Sequence, residues 1–462
     1  MPAALRWCLS AVALAGVAWA LIVPAWQVPD EDAHFAYAQT LAELHHRPFD
    51  DGRPAEQAEK SSEQDLAEQE SGFLESYQRL EVDPSWSEAA EARWLEARAS
   101  RRDGGGANPA RANPPGYYLF VLPAYWAASG GTVLDRLYLM RLWSVTLALV
   151  LAAGAWLLAG ELFGRDRPLQ LVAAAVTGLW PMASFLTAAV TPDAAILALT
   201  ALWFWLAARA LRAAPRDALA AAAGAAARRG PTVAALLAVT LGALAVKPAA
   251  AALLPGAAWV VGVLLWRRSG RPAPRLRTVT LAFAGLAAVA FAVVLAIAPG
   301  PPRQLVSYLW QFYLPELPGM QHVEQLPAWP AWDRWVEGTL GAFGWLEVRF
   351  PLWVYVALTA LGVLVLVAAA PTLRRLPAAV AVALALPALA LLAGLHLTEH
   401  WFIVDEGKAF TQGRYLLPLL PLTGAAVAAA VTRHRAAAGV VLGLLCTWQL
   451  ASLALVIGRF YA

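Results

Sequence analysis

Cysteine and lysine are both scarce in this sequence. The 462 residues include two cysteines, Cys8 and Cys446, and each lies within an apolar run. A disulfide between them is therefore not expected, and neither is a cysteine-based metal site. Lysine occurs only at positions 60, 247 and 408, so arginine supplies nearly all of the positive charge. We attribute this preference to the composition of an alanine-rich chain rather than to function.

Nucleotide-binding motifs are missing as well. The chain contains neither a G-x-x-x-x-G-K-[ST] sequence nor a G-x-G-x-x-G sequence. The triple glycine at 104–106 is not followed by a helix with a suitable lysine or serine, so it predicts a hinge. The net charge of +3 is small and gives no indication of a nucleic-acid partner. A soluble domain that binds nucleotides or nucleic acid is therefore not expected.

Long apolar runs dominate the sequence instead. Hydrophobic residues make up 60% of the chain and the mean hydropathy is +0.54, whereas soluble domains are roughly 45–50% apolar. The runs are about 18 to 25 residues long, which is the length of a membrane-spanning helix. We predict an all-α polytopic membrane protein, a single domain over 1–462 with about eleven spans. The predicted spans are 4–24, 134–161, 168–188, 193–212, 231–247, 249–266, 278–298, 350–370, 377–396, 414–432 and 437–458.

The first apolar run has one alternative interpretation. It follows Arg6 and contains an Ala-Trp-Ala triplet at 18–20, which resembles a signal-peptide cleavage site. We favour a retained helix, because the apolar run continues to Pro24 and a group of charged residues follows directly.

Arginine placement orients the predicted spans. Positively charged residues collect in the short cytoplasmic loops of membrane proteins. With a cytoplasmic N-terminus, the arginine-rich short connections share the cytoplasmic side: 165–167, 209–229, 267–277, 374–375 and 433–435. We therefore predict a multi-pass plasma-membrane protein with two long outer loops, 25–115 and 299–349, and a shorter one at 397–412. Because the cytoplasmic connections are short, we expect the chemistry on the outer face.

Residues 117–129 are apolar but too short, at roughly 13 residues, to cross a bilayer as a helix. Counting them as a span would also place the arginine-rich connections outside. We predict a juxtamembrane or re-entrant helix on the outer face, with Tyr117, Tyr118, Tyr125 and Trp126 at the membrane interface.

Three consecutive carboxylates follow the first span. Asp30, Glu31 and Asp32 come directly after Pro29, and His34 lies one turn further on. A proline and acidic residues suit the first turn of a helix. That explains one or two carboxylates, but not three with a histidine on the same helix face. We therefore predict that Asp30 and Glu31 are catalytic and that His34 assists at the same site.

Charged residues also mark the outer ends of later spans. Asp193 opens a span as either a helix cap or a site residue. Lys247 precedes a proline in an apolar stretch and is either a snorkelling anchor or a phosphate contact. Arg414, followed by Tyr415, either binds phosphate bidentately or pairs with an acid of a loop. We predict that Lys247 and Arg414 bind a donor phosphate, with Asp193 and Tyr415 in an acceptor-binding or supporting role.

One short motif is compatible with a metal. His396 and His400 belong to an H-x-x-E-H sequence, which is the zinc pattern of one peptidase class. A five-residue pattern is weak, and no third ligand is evident. The sequence requires no cofactor, but it leaves open a divalent cation with Asp30, Glu31, His34 and these two histidines as candidate ligands.

Several short motifs follow one another in a definite order. They are PDE at 29–31 with HF at 34–35, NPPGYY at 113–118, TPD at 191–193, KP at 247–248, FGW at 343–345 and QGRY at 412–415. This ordered set resembles a family of bacterial membrane proteins of unassigned function. That family is similar to the C-type (GT-C) glycosyltransferases, which include protein O-mannosyltransferases and the lipid A aminoarabinose transferase. The resemblance covers essentially the whole chain.

The resemblance implies a GT-C-like bundle with juxtamembrane helices in the first outer loop. In those enzymes an acid in this loop is the catalytic base or lies beside it, the donor is a polyprenyl-phosphate sugar, and the product is inverted. The matching positions are Asp30 and Glu31, with Asp193 as a second acid. One departure is that the sequence ends at its last predicted span, whereas many of those enzymes carry a soluble C-terminal domain. Acceptor binding would then depend on the outer loops or on a partner.

We therefore expect a glycosyltransferase that moves a sugar from a polyprenyl-phosphate donor to a glycan, lipid or protein acceptor of the cell envelope. Such transfer needs a carboxylate to take the acceptor proton and cations to stabilise the departing phosphate. The alternatives are a transporter or flippase for lipid-linked glycans and a non-catalytic partner in their assembly. A transporter is less favoured, because we find no inverted repeat and no acid in the middle of a span.

Overall fold

The structure is a computed structural model that describes residues 1–49, 58–76, 87–212, 220–269, 302–434 and 436–462. About three quarters of the residues in these ranges are in helices. The strands among them form one short antiparallel pair, Ala342–Phe343 (β1) with Val348–Arg349 (β2). The predicted all-α fold of a polytopic membrane protein is confirmed.

The N-terminal part of the described chain is built from both long and short helices. The α-helices are Ala3–Ile22 (α1), Glu31–Leu44 (α2), Ser62–Glu70 (α3), Phe73–Ser76 (α4), Glu88–Ala97 (α5), Gly116–Ala127 (α6), Val133–Phe163 (α7), Arg167–Gly178 (α8), Pro181–Thr187 (α9) and Pro192–Arg212 (α10). A 3-10 helix, Pro109–Ala112, precedes α6. The helices α2 to α5 thus lie within residues 25–115, the predicted first outer loop, and α6 corresponds to the short apolar helix predicted at 117–129.

The C-terminal part continues the same pattern. Its α-helices are Ala220–Leu244 (α11), Leu254–Arg268 (α12), Pro302–Tyr313 (α13), Glu337–Gly341 (α14), Leu352–Leu373 (α15), Ala378–Asp405 (α16), Leu420–Ala430 (α17) and Ala436–Phe460 (α18). Tighter or wider turns extend several of them: 3-10 helices at Pro248–Leu253, Gly413–Leu419 and Val431–Arg433, and a π-helix at Ala331–Val336.

Eight helices in the described ranges are long and apolar enough to cross a membrane. They correspond to the predicted spans 4–24, 134–161, 193–212, 249–266, 350–370, 377–396, 414–432 and 437–458. The predicted span 168–188 is instead a pair of helices, α8 and α9, bent by 61°. The predicted span 231–247 corresponds to Gly230–Leu244, which is the apolar C-terminal part of α11 and is shorter than the eight helices above.

The predicted span 278–298 lies outside the described residues. Parts of the predicted connections 209–229, 267–277 and 433–435 do so too, as do parts of the two long outer loops. The total of about eleven spans and the orientation of the chain in the membrane stay predictions.

The bend between α8 and α9 has a local cause. Trp180 adopts an extended conformation (φ −63°, ψ 121°) immediately before Pro181. A residue before proline is disfavoured in the α region, so α8 ends before this point. Proline in turn suits the first position of a helix, where its missing N–H is not needed. The apolar run is therefore continuous in sequence but broken in the structure.

Helix α7 has a central position among the described helices. It packs against α1, α8 and α10. Although it is one of the predicted spans, it carries two buried arginines, Arg136 and Arg141. Charged residues inside a span are costly unless they have partners, so their contacts matter for the site described below.

Helix α6 packs against the N-terminal half of α7 more closely than the sequence predicts. Tyr117, Tyr118 and Tyr125 are fully buried, and only Trp126 is exposed among the four predicted interfacial aromatics. The prediction was wrong for the three tyrosines. Each buried hydroxyl has a partner, as buried tyrosines usually require: Tyr117 bonds to Ser144, Tyr118 to His34 and Tyr125 to Glu43. The aromatic face of α6 is therefore part of the core.

Candidate functional site

Asp30 lies between α1 and α2 and forms an ion pair with Arg414. The residue occupies the N-cap position of α2, but its side chain makes no capping hydrogen bond. Its carboxylate instead accepts a hydrogen bond from Arg414, which also donates to the carbonyl of Pro29 at 3.2 Å. The Asp30 side chain is 49% exposed, whereas Arg414 is 4% exposed. A cap therefore does not explain Asp30, and both residues face a common site.

Arg414 is placed by a close contact between two backbone segments. A Cβ atom on Gly413 would collide with the backbone of Gly338 in α14, so only glycine fits at this crossing. Thr339 donates a hydrogen bond to the Gly413 carbonyl at 3.0 Å. The glycine of the QGRY motif thus lets the chain approach the second long loop and directs the next residue into the site.

Asp193 and Lys247 form a second ion pair. Asp193 lies in the first turn of α10, and Lys247 precedes the 3-10 helix that begins at Pro248. Their side chains are 11% and 20% exposed. The predicted alternatives, a capping acid and a snorkelling lysine, do not describe this geometry. The two residues are turned toward each other rather than toward a helix end or the membrane surface.

Tyr415 joins the two cations. The Lys247 ammonium lies 5.1 Å from the centroid of its ring, and the Arg414 guanidinium carbon lies 5.3 Å from it. These are cation–π distances. The ring also stacks on Phe410, with the centroids 5.3 Å apart. Tyr415 therefore lies next to both positive groups.

His34 also belongs to this cluster, and its imidazole is neutral. Its Nδ1 lies 2.9 Å from the Tyr118 hydroxyl, and the side chain is buried. Burial lowers the pKa of His34 to about 4, because desolvation outweighs the attraction of Asp30 and Asp193. At neutral pH the imidazole is therefore uncharged, and the remaining groups are two carboxylates and two cations.

The pKa of Asp30 is lowered from its ordinary value. Desolvation by burial opposes this shift, but the positive charge of Arg414, with a smaller contribution from Lys247, outweighs it. Asp30 is ionised at neutral pH, and its basicity is weak for as long as Arg414 remains its partner.

The NPPGYY motif supports this cluster from behind. The Gly116 N–H donates to the carbonyl of Ala245 at 2.8 Å, and a Cβ on this glycine would collide with the same carbonyl. The Tyr117 hydroxyl accepts a hydrogen bond from the Thr191 N–H at 2.9 Å. One short motif therefore contacts the turn before Lys247 and the turn before Asp193 at once.

Glu31 does not belong to the exposed part of the site. It forms a fully buried ion pair with Arg141, and both side chains are 0% exposed. Its Oε1 accepts from Arg141 and from the Val190 N–H, and its Oε2 accepts from Arg141 and from the Trp26 N–H. A carboxylate has about four acceptor sites, and all are used here. Of the two predicted catalytic acids, Asp30 is therefore the accessible one and Glu31 the buried one, and the catalytic roles of both stay predictions.

Arg141 was missed at the sequence level. It lies well inside an apolar run whose other features are ordinary, and the predicted roles concentrated on the ends of spans. The available signal was the position of Arg141 inside a predicted span rather than at its end, because an ionisable residue within a span indicates a partner or a function.

The structure does not bring the H-x-x-E-H residues to the Asp30 cluster as metal ligands. Both ring nitrogens of His396 are engaged by hydroxyls, with Tyr308 at 2.8 Å and Tyr313 at 2.7 Å. Glu399 accepts from the backbone N–H groups of Phe410 and Thr411. In the part of the chain that the structure describes, no three His, Cys, Asp or Glu side chains are grouped as metal ligands would be. The zinc pattern is therefore not realised as a metal centre, and a divalent cation elsewhere stays a prediction.

Together, these features define a polytopic α-helical membrane protein with a polar cluster of paired charges at one end of its spans. A family model described as "Predicted membrane protein (DUF2142)" matches residues 13–423. The chain belongs to this family, so the predicted membership in a family of membrane proteins is confirmed.

Comparison with solved structures finds similarity to ArnT from Cupriavidus metallidurans in two states. The chain is 16% identical to ArnT bound to undecaprenyl phosphate, with a TM-score of 0.43 and coverage of 98% of this chain and 64% of that chain. It is 15% identical to the apo form, with a TM-score of 0.42 and coverage of 94% and 60%. The chain thus spans less than two thirds of the length of either solved chain. No curated protein matches it by sequence.

Proposed function

We propose that this protein is a membrane glycosyltransferase that moves a sugar from a polyprenyl-phosphate donor to a cell-envelope acceptor on the extracytoplasmic face. One observation carries the proposal: Asp30, Asp193, Lys247 and Arg414 form two neighbouring ion pairs beside Tyr415. A half-exposed carboxylate next to two cations combines the groups that such a transfer needs.

The cations would bind the phosphate of the donor. Arg414 can offer two N–H groups to phosphate oxygens, and its Nε has no hydrogen-bond partner within the described residues. Lys247, which also lies next to the Tyr415 ring, can add a second positive charge. Positive groups placed around the leaving phosphate stabilise the charge that develops on it.

Asp30 would act as the general base. In the proposed reaction its carboxylate takes the proton of the acceptor hydroxyl while the hydroxyl oxygen attacks the anomeric carbon. The bond between that carbon and the phosphate oxygen breaks, polyprenyl phosphate leaves with the electron pair, and the anomeric configuration inverts. Because Arg414 lowers the pKa of Asp30 in the free protein, a phosphate that takes over Arg414 would make the carboxylate more basic.

The proposal is tested by measuring transfer with purified protein in lipid vesicles. Radiolabelled sugars would be supplied on polyprenyl phosphate, with cell-envelope fractions as acceptors. We expect Asp30→Asn to lower the transfer rate by about 10²- to 10⁴-fold, which is the usual effect of losing a general base. The matched control is Asp32→Asn, because Asp32 is also an ion-paired acid but its partner is Lys60, outside the cluster.

The outcomes separate the possible functions. Loss of transfer in Asp30→Asn, with activity kept in Asp32→Asn, supports a transferase with Asp30 as its base. Full activity in Asp30→Asn rejects this base. Binding of the donor without turnover in the wild type, across donors and acceptors, rejects the transferase and favours a flippase or an assembly partner.

A further inference from the structure

The Glu31–Arg141 pair is connected to more of the chain than an ordinary ion pair. Arg141 donates all five of its N–H groups, two of them to Glu31. The other three go to the carbonyls of Ala20 at 3.2 Å, Val23 at 2.6 Å and Pro24 at 3.0 Å. The last carbonyls of a helix have no partner within that helix. Arg141 therefore caps the end of α1 from within α7.

Glu31 connects the same arginine to two further segments. Its carboxylate accepts from the Trp26 N–H at 3.2 Å and from the Val190 N–H at 3.0 Å. Glu31 directly follows Asp30 in the chain, and Val190 lies three positions before Asp193. The pair thus contacts the backbone next to both carboxylates of the proposed site.

Two residues held by this network have unusual backbone conformations. Trp26 and Asp30 have φ values of 61° and 64°, in the left-handed region. Such conformations are unfavourable for residues other than glycine and persist only where the surrounding structure enforces them. Of these two residues, Trp26 donates its N–H to Glu31, which is itself bonded to Arg141, and Asp30 directly precedes Glu31.

We propose that Glu31 and Arg141 are positioning residues for the transfer reaction. The pair joins the end of α1, the start of α2 and the turn before α10, and so holds Asp30 and Asp193 in place against their cations. Neither member of the pair touches the substrate. This inference rests on the proposed function for its kinetic test, but its structural test is independent of any transfer.

Helix α7 supplies a matched control for the experiment. Arg136, on the same helix, is 1% exposed and pairs with Glu63, which lies in α3 and outside the cluster. The test variants are Glu31→Gln and Arg141→Lys, and the controls are Glu63→Gln and Arg136→Lys. Arg141→Lys keeps the charge beside Glu31 but cannot make five hydrogen bonds, which gives a second variant if Glu31→Gln does not fold.

The kinetic expectation separates positioning from catalysis and from folding. In the test variants we expect kcat to fall on the order of 10²-fold, as for a small misplacement of a reacting group. The dissociation constant for polyprenyl phosphate should stay within about threefold of the wild-type value, since both cations remain. The acidic limb of the pH–rate profile should also keep its position, because Asp30 is still the base. A shifted or lost limb in Glu31→Gln would overturn the proposal in favour of Glu31 as the base.

Hydrogen exchange provides the structural test. In Glu31→Gln, the amides of 24–31 and 188–193 should exchange at least about tenfold faster, because their local opening becomes easier. The same amides should be unchanged in Glu63→Gln. Unchanged exchange in Glu31→Gln, or an equal change in both variants, would overturn the proposal even if the wild type shows no transfer. A full wild-type kcat in a variant with faster exchange would overturn it as well.

Discussion

Asp30 and Glu31 are neighbours in the sequence, and each pairs with an arginine, but the two pairs differ in what surrounds them. The Asp30 side chain is 49% exposed, while both Glu31 and Arg141 are fully buried. Arg414 keeps an unbonded Nε among the described residues, whereas Arg141 uses every N–H. We therefore expect the Asp30–Arg414 pair, but not the Glu31–Arg141 pair, to exchange partners with a ligand.

This difference shows why residue type and sequence position alone do not assign a role. Both acids lie at the start of α2, where a carboxylate is ordinarily read as a favourable charge at a helix N-terminus. The left-handed conformation of Asp30 turns the two side chains in different directions. One reaches the ligand-accessible cluster and the other reaches the core.

The largest expected difference between the pairs is in stability. Arg141→Gln leaves Glu31 as an unpaired buried charge, which should lower the free energy of unfolding by about 3–5 kcal/mol. Arg414→Gln leaves the half-exposed Asp30 accessible to water, so its loss should be about 1 kcal/mol or less. Thermal unfolding of the two variants in the same lipid discs measures the difference. Equal losses of unfolding free energy in the two variants would contradict the distinction between a buried ion pair and a half-exposed one.

The fold could be predicted where the length of an apolar run is enough to indicate a membrane-spanning helix. The predicted span 350–370 corresponds to α15, Leu352–Leu373, because a run of this length leaves few other solutions in lipid. The bend at Pro181 was not predicted, since the apolar residues continue on both sides of it. The burial of Tyr117 and Tyr118 was not predictable from α6 alone, because it depends on partners in distant segments.

A smaller effect is expected from pH, and it distinguishes the two regions because only the Asp30 cluster contains a histidine. The pKa of His34 is lowered to about 4 from an ordinary 6.5, so the folded protein favours the neutral imidazole. As the pH falls from 6.5 toward 4, the unfolded chain binds a proton that the folded protein does not. Stability should therefore fall by about 3 kcal/mol over this window. His34→Gln should remove this part of the pH dependence.

The pH dependence of stability must be compared between the wild type and His34→Gln, because a second group also titrates in this range. Burial raises the pKa of Glu68 to about 8, and this group works in the opposite direction, gaining stability as the pH falls from 8 toward 4.5. Unfolding temperatures of both proteins at several pH values between 7.5 and 4.5 separate the two contributions. Parallel curves for the wild type and His34→Gln would contradict the assignment.

Much of the candidate site could be predicted because its members stand next to breaks in the helices. Asp193, Lys247 and Arg414 each adjoin a proline or glycine, and a charge at such a position is conspicuous in an apolar sequence. Their mutual pairing could not be predicted, since Arg414 is separated by most of the chain from Asp30. The burial of Glu31 could not be predicted for the same reason, because it depends on Arg141 in another helix.

The smallest expected effect concerns ligand exchange at the Asp30–Arg414 pair. If donor phosphate and Asp30 compete for the guanidinium, removing the carboxylate charge should strengthen phosphate binding rather than weaken it. An ion pair with one exposed partner contributes at most about 1 kcal/mol, so Asp30→Asn should bind polyprenyl phosphate about two- to fivefold more tightly. Titration of the labelled lipid phosphate into protein in lipid discs measures this change.

The control for this prediction is again Asp32→Asn, which removes one negative charge from the same helix turn without freeing Arg414. An equal gain in both variants would mean that the effect is only a change in net charge. Weaker binding in Asp30→Asn would mean that Asp30 supports the phosphate site instead of competing with it. A gain confined to Asp30→Asn would indicate that the phosphate takes Arg414 from the carboxylate, which is the step by which Asp30 would become a stronger base in the proposed reaction.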